Sequence, residues 1–192
     1  MYKQYLFPLH IFLILEKASI IFWSSKLLIQ NHFIVFINCK WFYLLNQIFR
    51  NELLLSNSIL IENTAIDTRY LNQISKEINV FFKKHKLLVS YSYYFYLLKM
   101  RLTILFNSFS VNKNYAYSID SIFKNAGWLE RETSEMYGLL YYNKNDIRKL
   151  LLDYSKLENP MLKDFPCEGI QDVFYSFFEN QVVIQKNEIV EL

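Results

Sequence analysis

Two neighbouring stretches of this chain alternate between apolar and polar side chains, and they constrain the fold more than any other feature. In residues 88–98 every second side chain is large and apolar, and residues 101–106 repeat the pattern after a break at Lys99. A period of two places alternate side chains on opposite faces of a strand. We therefore predict two strands paired as a hairpin around Lys99, in a sheet with one buried face. The apolar positions are Val89, Tyr91, Tyr93, Phe95, Leu97, Leu102, Ile104 and Phe106.

Helical and strand patterns also precede this hairpin. Residues 10–22 fit a helix, and a second helix is predicted where Trp41, Leu44, Leu45, Ile48 and Phe49 recur at intervals of three and four. Short strands are predicted at 27–29 and 33–37, joined by a polar turn, and again at 58–64.

This order of elements predicts an α+β fold, a small mixed sheet with helices on one face. Residues 1–125 would form this domain, with a surface insertion near 70–86. Residues 126–192 would form a further helix and an extended C-terminal arm with short helices and turns.

The composition indicates where backbone geometry matters. The chain has 17 Phe and 15 Tyr but only 3 Gly and 3 Pro, a bias that we attribute to an AT-rich genome, so the aromatic content is not evidence for stacking on bases. All three glycines and two of the prolines lie between residues 127 and 169. Because glycine and proline are retained where the backbone requires them, this window has structural requirements that the rest lacks.

Charge and cysteine content exclude several classes of protein. The net charge of +3 comes from 21 basic and 18 acidic residues that are intermixed, which does not by itself predict nucleic-acid binding. Cys39 and Cys167 are far apart and have no neighbouring histidine cluster, which excludes a zinc finger or a self-contained iron–sulfur site.

Two alternatives stay open at this point. The apolar first 50 residues are compatible with a membrane-anchored protein, although charges interrupt every run long enough to span a bilayer. The locally basic stretch 75–86 is compatible with an organellar RNA-binding or ribosomal protein, although a solvated loop or helix is the favoured interpretation.

The most informative window is NAGWLERETSEMYG, residues 125–138. Asn125 is a candidate N-cap and Gly138 a candidate C′ residue, which bracket about three helical turns. Arg131 and Glu135 form an i,i+4 pair on this helix. Glu130 and Glu132 differ by two positions and point in different directions, so they cannot grip one reacting atom together. The pattern favours a charged structural helix over a catalytic site.

The residues after this helix suggest an interface. Ile147, Leu150, Leu151 and Tyr154 have helical spacing, and Asp146 could cap that helix. The segment 159–169 contains two prolines and several apolar side chains, so it must bury them without forming a regular element. In an assembly such a segment is an interface.

These motifs closely resemble the 30-kDa-type subunit of respiratory complex I, the mitochondrial NADH dehydrogenase subunit 9 family. That family carries W-x-E-R-E-x-x-D-M-F-G, then H-P-D-L-R-R-I-L, G-H-P-L-R-K-D-F-P-x-x-G and a Y-x-E-V-R-Y strand. The residues that match in order are Trp128, Glu130, Arg131, Glu132, Met136, Gly138, Asp146, Arg148, Pro160, Lys163, Asp164, Phe165, Pro166, Gly169, Val173 and Tyr175.

The resemblance implies a structural subunit of the quinone-reducing module, on the matrix side of the mitochondrial inner membrane. Such a chain binds no cofactor itself, while the whole complex uses FMN, iron–sulfur clusters, NADH and ubiquinone. The implied partners are the hydrogenase-like large subunit and the subunit that carries the terminal iron–sulfur cluster. The matched residues would serve subunit interfaces or structure, without catalytic or metal-binding roles, and no nucleic acid is expected.

Some positions depart from the family pattern. Lys144 and Asn145 stand where the family has His-Pro, Asn159 replaces a second histidine, and Leu162 and Phe174 occupy arginine positions. We expect a locally remodelled interface in consequence.

Overall fold

A five-stranded mixed sheet forms the centre of the computed structural model, which describes residues 23–27, 32–53, 55–69, 87–108, 114–154 and 158–187. Two smaller two-stranded sheets accompany it. The elements are β1 (Trp23–Leu27), β2 (His32–Phe36), α1 (Cys39–Asn51), β3 (Ser58–Asp67), β4 (Leu87–Phe95), β5 (Met100–Asn107), β6 (Tyr115–Tyr117), α2 (Ala126–Tyr137), β7 (Leu140–Tyr142), β8 (Gln171–Ser176) and β9 (Gln181–Lys186).

The strand order in the large sheet is β1-β2-β5-β4-β3. Strands β3, β4 and β5 form an antiparallel meander, whereas β2 pairs with β5 in parallel. The predicted hairpin is confirmed: Tyr94 lies opposite Arg101 and Phe95 opposite Met100, and Lys99 in the turn has a positive φ of 49°. Strand β4 ends at Phe95, so the predicted position of Leu97 in the strand is wrong, and Leu97 is 57% exposed.

The alternation decides which face of the sheet is buried. Tyr91, Tyr93 and Ile104 are fully buried on the face that carries both helices. Phe42 of α1 packs its ring 4.5 Å from the rings of both Tyr91 and Phe106. The Tyr93 hydroxyl donates to Asn46 Oδ1 of α1 over 2.6 Å, which satisfies a polar group inside the core. The α+β prediction with helices on one face is therefore confirmed.

Helix α1 is found where it was predicted, but its buried stripe is rotated. Phe42 and Asn46 belong to the buried side, whereas Trp41 is 37% and Leu44 is 39% exposed. The predicted stripe is confirmed for Leu45 and Phe49, is wrong for Trp41 and Leu44, and omitted Phe42. The contacts of Phe42 with Tyr91 and Phe106 of the sheet set which side of the helix is buried.

Other predictions have mixed outcomes. The first strand begins at Trp23, four residues before the predicted start at 27. The predicted helix at 10–22 and the insertion near 70–86 lie outside the described residues. Among the described residues, no helix is both long and apolar enough to cross a bilayer.

The predicted helix over 146–154 is wrong. Residues 146–152 instead form an irregular segment, which we call the strap, because side chains of α2 bind its main-chain groups in place of helical hydrogen bonds. The short helices predicted for the C-terminal arm are also wrong for the described residues 158–187, which contain turns and the β8–β9 hairpin.

Candidate interface at the signature helix

Helix α2, which carries the Trp-x-Glu-Arg-Glu motif, packs against β3 and against β7. Its first turn is not capped as predicted, because the Asn125 side chain makes no capping bond and donates from Nδ2 to the Leu60 carbonyl over 2.6 Å. Its end is as predicted. Gly138 is left-handed with φ 67°, and its N–H donates to the Ser134 carbonyl.

The inner side of α2 contributes a fully buried carboxylate. Glu130 is 0% exposed and accepts from Ser118 Oγ at 2.6 Å, from the Ile119 N–H at 2.9 Å and from the Tyr91 hydroxyl at 3.1 Å. Lys144, whose side chain is 2% exposed, completes the site with its Nζ 3.1 Å from Glu130 Oε2. A buried carboxylate held in this way joins β4, α2 and the segment after β7.

Burial raises the pKa of Glu130, while the hydrogen bonds from Ile119 and Ser118 and the charge of Lys144 partly oppose that rise. A second hydrogen-bonded group lies beside this site. Thr133, Asn63 and Tyr141 bond one another over 2.8–3.1 Å. These polar groups connect α2 to β3 and β7 through the core.

The middle of α2 binds the strap through its charged side chains. Arg131 donates to the carbonyls of Arg148 at 2.8 Å and Lys149 at 3.1 Å, and it lies 3.5 Å from Asp146. The Glu135 carboxylate accepts the N–H groups of three consecutive residues, 150 to 152. Arg131 and Glu135 therefore bind the strap and not each other, so the predicted i,i+4 ion pair is wrong. The strap groups bond to these side chains instead of forming a helical turn.

The strap turns its apolar side chains outwards. Ile147 is 66% and Leu151 61% exposed, and Tyr154, two residues beyond the strap, is 70% exposed. Nearby, Trp128 of α2 is 63% exposed. The guanidinium carbon of Arg131 lies over its ring, 5.2 Å from the ring centroid. A groove of about 230 Å³ lies beside the strap, with Arg131, Tyr142 and Ile147 in its lining. Exposed apolar groups around a fixed arginine are typical of a protein interface.

The proline-rich segment 159–169 docks on the body of the protein at two points. At the first, the Met161 N–H donates to the Met136 carbonyl at the end of α2, and a Cβ on Gly138 would come within 2.9 Å of the Asn159 amide. The close approach explains the need for glycine at position 138.

At the second point, the carboxylate of Asp67 on β3 accepts the Lys163 N–H at 3.1 Å and forms an ion pair with Arg69. Arg69 in turn pairs with Asp164. Burial acts to raise the pKa of Asp67, but the hydrogen bonds from Arg69 and Lys163 outweigh it and lower that pKa to about 2. The motif residue Lys163 is thus tied to a residue of β3 that lies 96 positions earlier in the chain.

The structure separates the predicted site residues into groups. Glu130 is internal, and Arg131 binds the strap. Asp146 and Arg148 belong to the strap, where Asp146 accepts from the Arg148 guanidinium and N–H. Met136, Gly138 and Pro160 lie where the segment 159–169 meets α2, and Lys163 and Asp164 lie at Asp67. Trp128 and Glu132 are exposed. Phe165, Pro166 and Gly169 belong to successive turns, with the Phe165 N–H bonded to Leu162 and the Gly169 N–H to Pro166.

Sequence reasoning missed the partners of these residues. It recorded Lys144 only as a departure from the family, and gave no role to Ser118, Asp67 or Arg69. No local pattern could pair Glu130 with Lys144, 14 positions away, because the pairing depends on β7 returning the chain to α2. Within the described residues, no three or more His, Cys, Asp and Glu side chains are grouped as metal ligands.

Comparison with known proteins identifies what this arrangement is similar to. The sequence model of the family described as "Respiratory-chain NADH dehydrogenase, 30 Kd subunit" matches residues 41–171. NADH-ubiquinone oxidoreductase subunit 9 of Paramecium primaurelia is 35% identical over 186 residues, 97% of this chain and 87% of that protein. The subunit 9 of Paramecium tetraurelia is 34% identical over 93% of this chain and 84% of that protein.

A solved structure shares the fold. A chain in the membrane-bound sulfane sulfur reductase, an archaeal respiratory membrane complex, superposes with a TM-score of 0.63 at 16% identity, over 83% of this chain and 85% of that one. At this identity the likeness concerns the fold alone.

Proposed function

Because the chain belongs to the family of 30-kDa subunits of the respiratory-chain NADH dehydrogenase, we propose that it is a non-catalytic core subunit of the matrix arm of complex I. In this role it contributes structure and assembly to the module that passes electrons to quinone. It takes no chemical step of its own in NADH oxidation, ubiquinone reduction or proton pumping.

The proposal rests on the hydrogen bonds that the charged residues of α2 make within the protein. Glu130 is enclosed by hydrogen-bond donors, and Arg131 and Glu135 are occupied by main-chain groups of the strap. A general acid or base needs access to a substrate proton, and these groups are committed to structure instead. Their effect is to fix an irregular segment whose apolar side chains point outwards, as an interface requires.

The partners that we propose are other subunits of complex I, chiefly the hydrogenase-like large subunit and the subunit with the terminal iron–sulfur cluster. The surface formed by Trp128, Ile147, Leu151 and Tyr154 supports this assignment, since it is too apolar to be left in solvent without a partner. FMN, iron–sulfur clusters, NADH and ubiquinone are then bound by the complex, not by this chain.

We also propose a mitochondrial location, at the matrix side of the inner membrane, with attachment to the membrane only through the complex. The two Paramecium relatives, named as NADH-ubiquinone oxidoreductase subunits, support the assignment to a eukaryotic respiratory complex. The bias towards AT-rich codons agrees with a gene carried by a mitochondrial genome.

A native gel of mitochondrial membranes, stained for NADH dehydrogenase activity and analysed by mass spectrometry, tests the proposal. The chain is expected in the active high-mass band. Arg131→Ala and Asp164→Ala should each lower the amount of assembled complex, because the first releases the strap and the second weakens the tie between the arm and Arg69.

Lys124→Ala is the matched control, since Lys124 is an exposed residue two positions before the same helix and lies outside the motif. It should assemble normally. If the chain migrates apart from the active band, the assignment to complex I is wrong. If both alanine variants assemble as well as the control, the proposed role of these anchors is wrong.

A further inference from the structure

The hairpin β8–β9 has one apolar face that nothing in the described part of the chain covers. Its register places Val173 opposite Ile184 and Tyr175 opposite Val182, so these four side chains lie on the same face. They are between 50% and 64% exposed. The tip adds Phe177, which is 83% exposed and packs edge-on against Tyr175 at 5.2 Å.

The opposite face of the hairpin is mainly polar. Asp172, Ser176, Gln181 and Gln185 occupy it, together with one apolar pair, Phe174 and Val183. The hairpin is therefore amphipathic, although it stands away from the core. A hairpin of two strands has little stability alone and needs packing against a further surface.

Within the part of the chain that the structure describes, the hydrogen bonds that hold the hairpin lie at its base. The Asn187 N–H donates to the Ile170 carbonyl, and its Nδ2 bonds the Glu168 carbonyl at 2.9 Å and the Asp172 carboxylate at 3.3 Å. Strands β8 and β9 pack on each other and make no extensive contact with another described element. These bonds hold the apolar face at a fixed orientation and leave it open.

The charge of this region is opposite to that of the whole chain. Residues 158–187 contain five carboxylates and two lysines, whereas the complete chain carries +3. Asp164 is paired with Arg69, but Glu168 at the base and Glu179 at the tip are exposed and take part in no ion pair among the described residues. Glu179 thus places negative charge at the tip of the apolar face, and Glu168 places it at the base, where Lys186, opposite Gln171, is the one positive group of the hairpin.

We propose that the apolar face of β8–β9 docks into an apolar groove of a protein partner whose rim carries lysine or arginine near Glu168 and Glu179. The inference rests on the proposed function for the identity of the assembly, and it adds the chemistry of the partner. The hairpin begins at residue 171, where the family-model match ends, and its apolar face carries the motif residues Val173 and Tyr175. An anionic membrane surface is the wrong partner, because it would repel these carboxylates.

The experiment replaces the endogenous subunit with tagged full-length variants and measures their share in the assembled complex. Val182→Asp with Ile184→Asp should reduce incorporation by about tenfold or more, since buried apolar anchors dominate interface energies. Glu168→Lys with Glu179→Lys should reduce it less, and added salt should weaken incorporation of the wild-type chain.

Each variant has a matched control. Gln181→Asp with Gln185→Asp adds the same charges on the polar face, and Glu52→Lys with Glu62→Lys reverses two charges outside the arm. Both controls should be incorporated like the wild type. Binding of the full chain to vesicles of phosphatidylcholine and cardiolipin tests the membrane directly, and no binding is expected.

The outcomes separate this proposal from the proposed function. Absence of the wild-type chain from the complex overturns both. Normal incorporation of the apolar-face variant, or equal loss in its control, overturns the docking face alone. Normal incorporation of the charge-reversed variant overturns the basic rim. Vesicle binding that Phe177→Ser abolishes would make the membrane the occupant and would also overturn the proposal.

Discussion

The body of the protein, formed by the large sheet with α1 and α2, and the arm, residues 158–187, use the same residue types in opposite ways. In the body, Phe42, Tyr91 and Tyr93 are fully buried and in ring contact. In the arm, Phe177 and Phe178 are 83% and 101% exposed. Because aromatic residues are abundant throughout the chain, composition does not distinguish a core from an interface. Strand register and the position of the helices do.

The largest expected difference between the two regions concerns the aromatic rings themselves. Phe42→Ala should lower the free energy of unfolding by about 3–5 kcal/mol, because it removes a ring packed in the centre of the core. Phe178→Ala should change it by less than about 0.5 kcal/mol, since that ring has no neighbours to lose. Urea unfolding of the full chain, followed by circular dichroism, measures both. Comparable losses would show that the arm belongs to the same cooperative core.

A second test asks whether the body depends on its buried ion pair. Lys144→Met should cost about 3 kcal/mol at neutral pH, because it leaves the Glu130 carboxylate buried without its counter-charge. The pKa of Glu130 is already raised by burial and would rise further. The loss of unfolding free energy in the variant should therefore become smaller as the pH falls through that raised pKa, because Glu130 then takes up a proton.

The double variant Glu130→Gln with Lys144→Met provides the control. It should be more stable at neutral pH than Lys144→Met alone, and its stability should lack the same recovery at lower pH. Equal stability of the single and double variants would show that the pair does not couple.

The joint between body and arm gives a pH-dependent prediction. Asp67 has a pKa lowered to about 2 by Arg69 and Lys163, so its ionised form stabilises the folded state. This contribution, about 2 kcal/mol, is complete above an ordinary aspartate pKa near 4 and disappears as the pH falls towards 2. Asp67→Asn should lack that part of the pH dependence. Unfolding free energies of the wild type and of Asp67→Asn, measured between pH 6 and pH 2, test this prediction. Identical pH profiles of the two proteins would contradict it.

The smallest expected effects on stability come from replacing two left-handed glycines by alanine. Both Gly138, with φ 67°, and Gly169, with φ 78°, are left-handed, so alanine at either should cost about 1 kcal/mol. Gly138→Ala should cost more, because its Cβ would press on Asn159, whereas nothing lies within 4 Å of a Cβ at Gly169. Thermal melting of the two variants gives the order, and a more costly Gly169→Ala would reverse the assignment of the close contact.

Sequence reasoning succeeded for elements in which the local pattern alone determines which side is buried. The β4–β5 hairpin has a clear alternation and one face under the helices, so both strands and their turn could be predicted. Gly138 could be predicted as a helix end because its conformation depends on its own backbone.

It failed where distant groups decide the outcome. The strap carries a helical apolar pattern, but Glu135 and Arg131 bind its main chain and replace the bonds that a helix would make. Glu130 binds Lys144, 14 positions away, Asp164 binds Arg69, 95 positions away, and Asp67 binds the Lys163 N–H, 96 positions away. These contacts follow from the tertiary fold and not from a local pattern. The candidate interface was thus located by motif, and its internal bonding was not predictable.

The parallel pairing of β2 with β5 sets the order in which the chain can fold as it leaves the ribosome. His32 lies opposite Arg101 in that pair, so β2 is synthesised well before the strand beside which it belongs. The meander β3–β4–β5 needs only sequential neighbours and can form first. Until Asn107 has emerged, β2 has no strand to join on that side, and its edge is open to wrong partners. Nascent chains that stop before that residue should therefore depend most on chaperones.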